Sequence, residues 1–199
     1  MKPIFDDPLK MKKYIIESAI SVFAEKGYAS TNMQDIADLA GISRGPLYYY
    51  FNNKAELYLA ALKETIRLQI ERYHEIFGRE AFIIDKIRED LQYCMTALKS
   101  GKKDIIIVWQ KEMPVEAKAL IDNYIQTLYE IKIDSVRKAI AGGEMNQNTN
   151  PKIIVDLMFM LYEGIRVVIF DLGIKVEADE IDELIESSIS QIKNKYCTE

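Results

Sequence analysis

The segment at residues 43–51 reads Ser-Arg-Gly-Pro-Leu-Tyr-Tyr-Tyr-Phe and combines a guanidinium, several hydroxyl groups and residues without bulky side chains. A helix that enters the major groove of DNA needs a donor for base edges, small residues that let the backbone approach, and amides that reach phosphate. Arg44 provides the donor, which suits guanine best, and Gly45 and Pro46 leave room beside the backbone. The tyrosines can reach phosphates or pack on thymine methyl groups. These residue types therefore indicate contact with double-stranded DNA.

Two short predicted helices, separated by a sharp turn, position this segment. The first opens at Thr31, whose spacing to Gln34 is that of a capping box. It ends at Gly41, because glycine adopts the left-handed conformation at low cost. The second begins at Ser43 and continues to about Tyr50. Together they predict a helix-turn-helix.

The second helix has an inner and an outer face. Leu47 and Phe51 lie four residues apart, so they share a face that can pack on the preceding helices. Arg44 and Tyr48 fall on other faces. Each feature taken singly also fits a plain helical hairpin or ordinary aromatic packing, and their joint order and spacing favour the DNA-binding interpretation.

Helix signals continue along the rest of the chain. Asp7-Pro8 predicts the start of a first helix, and Gly27 predicts its end. Asn53 and Glu56 form an N-cap pair that opens a long fourth helix, which ends near Phe77. Helical periodicity then predicts further helices near 82–99, 103–111, 114–141, 151–172 and 178–196.

The composition is that of a folded, helical chain. Of 199 residues, 49% are hydrophobic and 29% are charged, which suffices for a sizeable core. Only 9 glycines and 5 prolines interrupt the elements. We therefore expect an all-α chain of about nine helices. A three-helix head with the helix-turn-helix would occupy residues 1–53, and a larger helical body for ligand sensing and dimerisation would occupy 54–199.

The net charge of −5 argues against nucleic acid only when the chain is taken as a whole. Residues 1–60 contain 7 Lys and Arg and 7 Asp and Glu, so this part is neutral. Residues 61–199 contain 19 basic and 24 acidic residues, which accounts for the whole deficit. An acidic body is compatible with a DNA-binding head, because the position of the basic groups decides the interaction.

Residues 8–60, about a quarter of the chain, resemble the DNA-binding head of the TetR family of bacterial repressors. The resemblance rests on four stretches in combination: 24–28, 31–41, 42–51 and 53–57. The remaining residues resemble the family in length, helix count and helix order.

The resemblance implies two sets of DNA contacts. The residues that would meet base edges or the floor of the groove are Gln34, Arg44, Gly45 and Tyr48. The residues that would hold phosphates are Ser43, Tyr49, Tyr50 and Lys54. Pro46 replaces a hydroxyl or amide side chain of the family pattern, and Met33 replaces a small or hydroxyl residue, which leaves contacts at these two points open. Proline is tolerated in a first helical turn, where its amide would be unpaired anyway.

The resemblance also implies a homodimer in which the last two long helices pair with their copies. An apolar stripe at 154–168 is compatible with this, and it could equally form core within one chain. The interface residues expected are Leu157, Leu161, Gly164, Ile165, Val168, Ile185 and Ile189. Two-fold symmetry would suit a palindromic operator whose recognition helices lie about 34–36 Å apart, or a multiple of that distance.

The implied function is a ligand-responsive transcriptional regulator, expected to be a repressor released from its operator by a small hydrophobic or amphipathic effector. The residues expected to line the ligand pocket are Tyr73, Phe77, Tyr93, Trp109, Met113, Tyr124, Met158, Tyr162 and Arg166. Methionine and aromatic residues more often form plain core. Arg166 lies on a mostly apolar helix, so it either pairs with an acid such as Glu163 or meets a polar ligand, and pairing is favoured.

An enzyme is the first alternative class. The sequence has one histidine, His74, and shows no nucleophile elbow, phosphate loop or metal-ligand cluster. Cys94 and Cys197 show neither zinc spacing nor a disulfide framework, so reduced thiols are expected. We expect no catalysis, no cofactor and no metal.

A protein-binding adaptor on a helix-turn-helix scaffold is the second alternative, and the salt dependence of DNA binding distinguishes it. The sequence shows no secretory signal. Its most apolar stretch, 153–172, contains four charged residues, so we expect no membrane span and a cytoplasmic protein.

Overall fold

In a computed structural model, residues 7–99 and 113–198 are described, and their fold is helical. The helices in these ranges are α1 Pro8–Ser30, α2 Met33–Ala40, α3 Arg44–Tyr50, α4 Lys54–Gly78, α5 Ile83–Lys99, α6 Val115–Ala141, α7 Pro151–Arg166 and α8 Ala178–Tyr196. A π-helical turn, Val167–Asp171, continues α7 to the end predicted for that helix. The described residues contain no β-strand, which confirms the all-α prediction. The helix predicted near 103–111 lies outside the described residues.

Two helices begin at the predicted pairs of a capping residue and a proline. The Asp7 carboxylate accepts a hydrogen bond from the amide two residues on at 2.9 Å, and Pro8 is the first residue of α1. Asn150 caps α7 in the same way at 3.0 Å, ahead of Pro151. Proline suits this position because its missing amide would have had no helical partner.

The start of α2 differs from the prediction by one residue. Asn32 is the N-cap: its side chain accepts from the Asp35 amide at 3.0 Å, and the Asp35 carboxylate accepts from the Asn32 amide at 2.8 Å. The predicted capping box of Thr31 and Gln34 is therefore wrong. Gly27, with φ of 80°, breaks α1 near its predicted end. The Thr31 hydroxyl then donates to the Gly27 carbonyl at 2.6 Å, so it does not cap α2.

The turn between α2 and α3 forms as predicted around Gly41. This residue has φ of 63°, the left-handed conformation in which a side chain would be strained. Its amide donates to the Asp38 carbonyl at 3.1 Å, and the next amide, of Ile42, donates to the Ala37 carbonyl at 3.0 Å. These bonds satisfy carbonyls at the end of α2 and direct the chain into α3.

The described residues divide into two compact units. The head unit contains residues 7–69 and 113–124, and the body unit contains 70–99 and 125–198. Helices α4 and α6 each contribute residues to both units. The assignment of DNA binding to residues 1–53 and of sensing to 54–199 stays a prediction about function.

Apolar side chains of α1 to α4 fill the core of the head unit. Phe23 and Tyr58 are completely buried, and their rings meet edge to face with centroids 4.9 Å apart. Leu47 is also completely buried and holds α3 in this core. A helix of seven residues, such as α3, is too short to be stable alone, so its position depends on this packing.

The body unit is built around α5, which packs against α7 and α8. The inner faces of these helices are mostly aliphatic. The buried apolar residues are Ile83, Ile87, Leu91, Met95 and Leu98 of α5, Ile154, Val155, Met158 and Ile165 of α7, and Ile181, Ile185, Ile189 and Ile192 of α8. Arg88 of α5 pairs with Glu186 of α8 at 3.0 Å on the surface. The end of α8 is held by a bond from the Asn146 amide to the Tyr196 carbonyl at 2.8 Å.

Replacing Asn32 with alanine is expected to lower the free energy of unfolding by about 1 kcal/mol, because the cap of α2 is lost. The matched control is Gln34→Ala, which removes the residue that spacing alone assigned to the cap and should change stability by less than about 0.5 kcal/mol. Urea unfolding followed by circular dichroism measures both. A larger loss for Gln34→Ala than for Asn32→Ala would contradict the observed cap.

Candidate nucleic-acid interface

The outer face of α3 is exposed along its whole length. Arg44 and Gly45 are exposed, and the tyrosines Tyr48 and Tyr49 are 49% and 80% exposed. Ser43 precedes the helix, and its side chain makes no capping hydrogen bond. A guanidinium, a hydroxyl and two phenols thus face solvent around a helix start whose amides are directed outward. This arrangement matches what a recognition helix needs in the major groove.

The Arg44 guanidinium is positioned by α2. Its Nε donates to the side-chain oxygen of Gln34, and the Gln34 amide nitrogen donates to the carboxylate of Asp38. This chain of bonds leaves the terminal nitrogens of Arg44 available for acceptors on a base edge. It joins the first residue of α3 to α2 and brings the two predicted base contacts, Gln34 and Arg44, into direct contact.

A depression of about 480 Å³ lies between α2 and α3. Its lining residues are Thr31, Asn32, Met33, Gln34, Arg44, Tyr48 and Lys54. Four of the eight residues predicted to contact DNA thus line one concave surface. The predicted phosphate contacts Ser43 and Tyr49 are exposed beside it.

Three residues in and beside α3 are at least partly buried: Tyr50, Met33 and Pro46. Tyr50 is half-buried and meets Tyr49 edge to face with centroids 4.9 Å apart. Met33 is only 8% exposed and belongs to the core of the head unit. Pro46 is the third residue of α3, and the helix forms there without a break, as expected for a proline in the first turn. Most of the surface offered to a partner therefore comes from Arg44, Tyr48 and Tyr49.

Lys54 makes contacts within the head unit that the sequence did not predict. Its Nζ donates to the carbonyl oxygens of Tyr28 at 2.8 Å and Ala29 at 3.3 Å, and it lies 4.4 Å from the centre of the Tyr28 ring. Lys54 therefore joins the start of α4 to the end of α1. A phosphate contact by this lysine stays a prediction, and it would have to share the ammonium with these carbonyls.

In the body unit, two of the residues predicted to bind ligand, Tyr73 and Phe77, lie beside a buried ion pair. Lys132 of α6 and Asp90 of α5 are 4% and 0% exposed, and Nζ lies 2.8 Å from Oδ2. The ammonium also lies 5.0 Å from the centre of the Tyr73 ring and 6.0 Å from that of Phe77. A third ring, that of Phe159, lies 4.9 Å away. Three rings and one carboxylate therefore enclose one ammonium.

Cys94 completes the polar network around this pair. Its sulfur lies 3.2 Å from the Tyr73 hydroxyl and donates to Asp90 Oδ1 at 3.7 Å. Burial, together with the negative charge of Asp90, raises the pKa of the Cys94 thiol to about 12. Burial also raises the pKa of the Asp90 carboxyl, and the Lys132 ammonium opposes that rise. Sequence reasoning missed Lys132 and Asp90, because their 42-residue separation gives no local signal.

The other predicted ligand residues are distributed more widely. Tyr93 meets Tyr73 edge to face at 5.9 Å, and Met158 is 2% exposed. Met113 and Tyr124 belong to the head unit, where Met113 packs on the core and the Tyr124 hydroxyl donates to Gln69. Tyr162 is half-buried on α7. Trp109 lies outside the described residues.

Arg166 is paired, as the sequence analysis favoured. Its Nε donates to Glu163 at 2.8 Å, and its Nη2 donates to Asp171 at 3.2 Å. Both bonds stay within the stretch formed by α7 and its π-helical turn. The guanidinium is thus already neutralised by two carboxylates, and a contact with ligand stays a prediction.

The predicted interface residues fall into two groups by burial. Ile165, Ile185 and Ile189 are 6%, 1% and 2% exposed inside one protomer. They belong to the chain's own core and leave little exposed area for a partner, so a role for these three positions in the interface stays a prediction. Leu157 and Gly164 are exposed, and Leu161 and Val168 are half-buried.

Exposed apolar residues that were not predicted extend this surface. Met160 of α7 is 66% exposed, and Leu184 of α8 is 44% exposed. Leu157 and Met160 lie three residues apart on α7, which places them on one side of the helix. Their periodicity resembled that of the core residues, so the sequence alone did not separate the two faces.

Other functions would depend on a metal site, on the histidine or on a membrane-spanning helix in the described part of the chain. No group of three or more His, Cys, Asp or Glu there could hold a metal ion. His74 is exposed on α4. None of the described helices is long and apolar enough to cross a membrane.

Comparisons with known proteins agree with this geometry. Residues 15–61 match the family described as bacterial regulatory proteins, tetR family. A fatty acid metabolism regulator protein of Bacillus subtilis (strain 168) is 27% identical over 155 residues, which cover 75% of this chain and 79% of that protein. The matched family region contains α2, α3 and the start of α4.

Solved structures share the fold. A TetR transcriptional regulator from Chloroflexus aurantiacus J-10-FL superposes with a TM-score of 0.81 at 18% identity, covering 96% of this chain and 98% of that one. The regulator FadR from Bacillus subtilis, solved in complex with stearoyl-CoA, superposes with a TM-score of 0.68 at 22% identity, covering 89% and 97%.

The helix-turn-helix head and the helical body define a DNA-binding transcriptional regulator. Residues 15–61 match the tetR family of bacterial regulatory proteins, and the described fold is shared with solved TetR regulators.

Replacing Lys54 with methionine is expected to lower the free energy of unfolding by about 1 kcal/mol, because two charge-assisted bonds to carbonyls are lost. If these contacts persist on DNA, the slope of log affinity against log salt concentration changes by much less than the ~0.9 that one lost phosphate contact gives. Lys63→Met, at an exposed position of α4, is the control and should change neither quantity. A full unit of slope lost with unchanged stability would instead identify Lys54 as a phosphate contact.

The Cys94 thiol is expected to resist alkylation in the folded chain. With a pKa of about 12, only about one thiol in ten thousand is ionised at pH 8, and the thiolate is the reactive form. Iodoacetamide labelling mapped by mass spectrometry should therefore modify Cys94 at least about 100-fold more slowly in the folded than in the urea-unfolded chain. Equal rates would contradict the raised pKa of this thiol.

Proposed function

We propose that this regulator is a repressor that binds a palindromic operator as a homodimer, with α3 of each protomer in the major groove. The observation that carries the proposal is the exposed face of α3. Arg44 is oriented there by Gln34, beside the exposed phenols of Tyr48 and Tyr49. Arginine is the side chain best suited to guanine, whose O6 and N7 atoms accept two parallel bonds.

The dimer forms through the exposed apolar surface of α7 and α8. Leu157, Met160 and Leu184 provide large apolar side chains that are 40%, 66% and 44% exposed in one protomer. Gly164 is exposed on the same helix as Leu157 and would let a partner helix approach closely. A two-fold axis at this surface would present two identical heads, as an operator with two half-sites requires.

The body unit binds a small amphipathic effector, and effector binding releases the operator. The B. subtilis FadR structure holds stearoyl-CoA, which supports an effector site in this fold. Release requires that the effector prefer a conformation in which the heads are wrongly placed for two half-sites. A coupling free energy of about 1–3 kcal/mol between the two sites would lower operator affinity roughly 5- to 150-fold.

A protein-binding adaptor would use the same fold without reading DNA. The exposed guanidinium and phenols of the recognition helix favour DNA, because they match base edges and phosphates. Salt separates the two functions: DNA binding weakens steeply as salt rises, whereas adaptor binding through apolar contacts does not.

The proposal is tested by selecting operators from random duplexes with the purified chain. We expect a palindrome, and Arg44→Ala should weaken binding to it by about 1–3 kcal/mol, roughly 5- to 150-fold, and relax the preference for guanine at one position of each half-site. Arg137→Ala, at an exposed position of α6 in the body unit, is the matched control and should leave affinity unchanged.

Two outcomes would count against the proposal. No enriched sequence, or enrichment that Arg44→Ala leaves intact, would remove α3 as the reader of DNA. A reporter gene behind the selected operator then gives the direction of regulation. Expression should rise when the regulator is deleted, and a fall would identify an activator.

A further inference from the structure

The ion pair in the body unit has the composition of a cation-binding site. The Lys132 ammonium lies within 6.0 Å of three ring centres and 2.8 Å from a carboxylate oxygen of Asp90. Aromatic faces carry partial negative charge and attract ammonium groups, and this attraction strengthens where water is excluded. Aromatic rings and a carboxylate placed around one point are the arrangement that proteins use to recognise ammonium ligands.

An anion would meet unfavourable charge at the same place. It would face the negative sides of the rings and lie close to the buried Asp90 carboxylate. It would also have to compete with Asp90 for the ammonium of Lys132. A cation that replaced this ammonium would keep the attraction to the rings and to the charge of the carboxylate, because these groups stay in position.

We propose that Tyr73, Phe77, Phe159 and Asp90 form the recognition site for a lipophilic cationic effector, and that Lys132 is the internal ligand that occupies it when the effector is absent. The inference deepens the proposed function, on which it rests, by naming the chemical class of the effector. The head of the effector is an ammonium, and its remainder is apolar.

Lys132 is well suited to leave. Within the described residues, the hydrogen-bond acceptor of its ammonium is the Asp90 carboxylate, and its other close neighbours are aromatic rings. A buried ammonium also pays a large desolvation cost, which ends when its flexible stem carries it back to water. A quaternary ammonium has a smaller desolvation cost when it enters the same site, because alkyl groups surround its charge.

The surroundings can admit such a ligand. Phe159 is half-buried and stacks on the half-buried Tyr129 with centroids 4.8 Å apart, which gives the site a partly exposed edge. Met95 and Met158 are buried in the same unit, and their unbranched side chains repack easily. Ser135 lies one turn beyond Lys132 on α6, is 6% exposed, and its hydroxyl has no hydrogen-bond partner within the described residues.

Replacement of Lys132 would act on four helices at once. The site takes Tyr73 and Phe77 from α4, Asp90 from α5, Lys132 from α6 and Phe159 from α7. The loss of the Lys132–Asp90 bond would uncouple α5 from α6 while the ligand binds the same carboxylate. The body unit would then have two conformations, one with Lys132 in the site and one with the effector in it. Ligand-driven release requires such a pair of conformations with different affinity for the ligand.

The experiment compares three probes of equal chain length by isothermal titration calorimetry with the full chain. The probes are decyltrimethylammonium, decanoate and decanol, each well below its micelle concentration or solubility limit. We expect binding of the cation at least about tenfold tighter than that of the anion or the alcohol. Tighter binding of decanoate would overturn the proposal and identify Lys132 as an anion receptor.

Variants of the pair give the decisive comparison. Lys132→Met removes the internal competitor, so affinity for decyltrimethylammonium should rise by about tenfold or more, and the probe should raise the Tm of this variant more than that of the parent chain. Asp90→Asn removes the charge partner and should weaken cation binding by about tenfold or more. Unchanged affinity in both variants would show that the cation does not bind at this site.

A double variant covers the case in which a lone buried charge prevents folding. Lys132→Met combined with Asp90→Leu replaces the pair with apolar residues, an exchange that proteins often tolerate without loss of stability. It should fold, bind operator and lose selectivity for the cation over the alcohol. Retained selectivity would overturn the assignment of Asp90.

Operator binding separates this inference from the proposed function. If the chain binds its operator and only decanoate or another non-cationic probe releases it, the repressor proposal holds and the cation site is wrong. If the chain binds no operator, the repressor proposal fails, while calorimetry with the three probes still tests the site.

Discussion

The burial of Leu47 is the constraint on which the DNA-facing surface depends. A seven-residue helix has no stability of its own, so α3 exists because this side chain is completely buried in the head core. With that face buried, Arg44, Tyr48 and Tyr49 must point outward. The left-handed turn at Gly41 then sets the direction in which α3 leaves α2. Recognition is thus a consequence of packing on the opposite side of the same helix.

The interior of the body unit differs from the apolar core of the head unit, because it contains a pair of charged groups. Its core is mostly aliphatic, yet α5 and α6 meet through a fully buried ammonium and carboxylate. A buried ion pair often stabilises a fold no better than well-packed apolar residues of similar volume would. Its presence among three aromatic rings is the observation on which the proposed effector site rests.

Prediction from sequence succeeded where the signal was local. The cap-proline pairs before α1 and α7, the glycine turn before α3, and the pairing of Arg166 with Glu163 all involve residues a few positions apart. It was wrong at α2, where a kink at Gly27 diverted the Thr31 hydroxyl to another carbonyl. It also could not separate buried Ile185 from exposed Leu184, because neighbouring aliphatic residues carry the same periodic signal.

The sequence by itself determined the helical class, the order of the elements and the residue types presented by α3, because caps, turns and amphipathic spacing act over a few residues. Only the tertiary structure decided that Lys54 joins α4 to the end of α1, and that Lys132 meets Asp90 inside three rings. Those contacts bring together residues 26 and 42 positions apart. Local chemistry carries no information about such distances, since the packing of whole helices sets them.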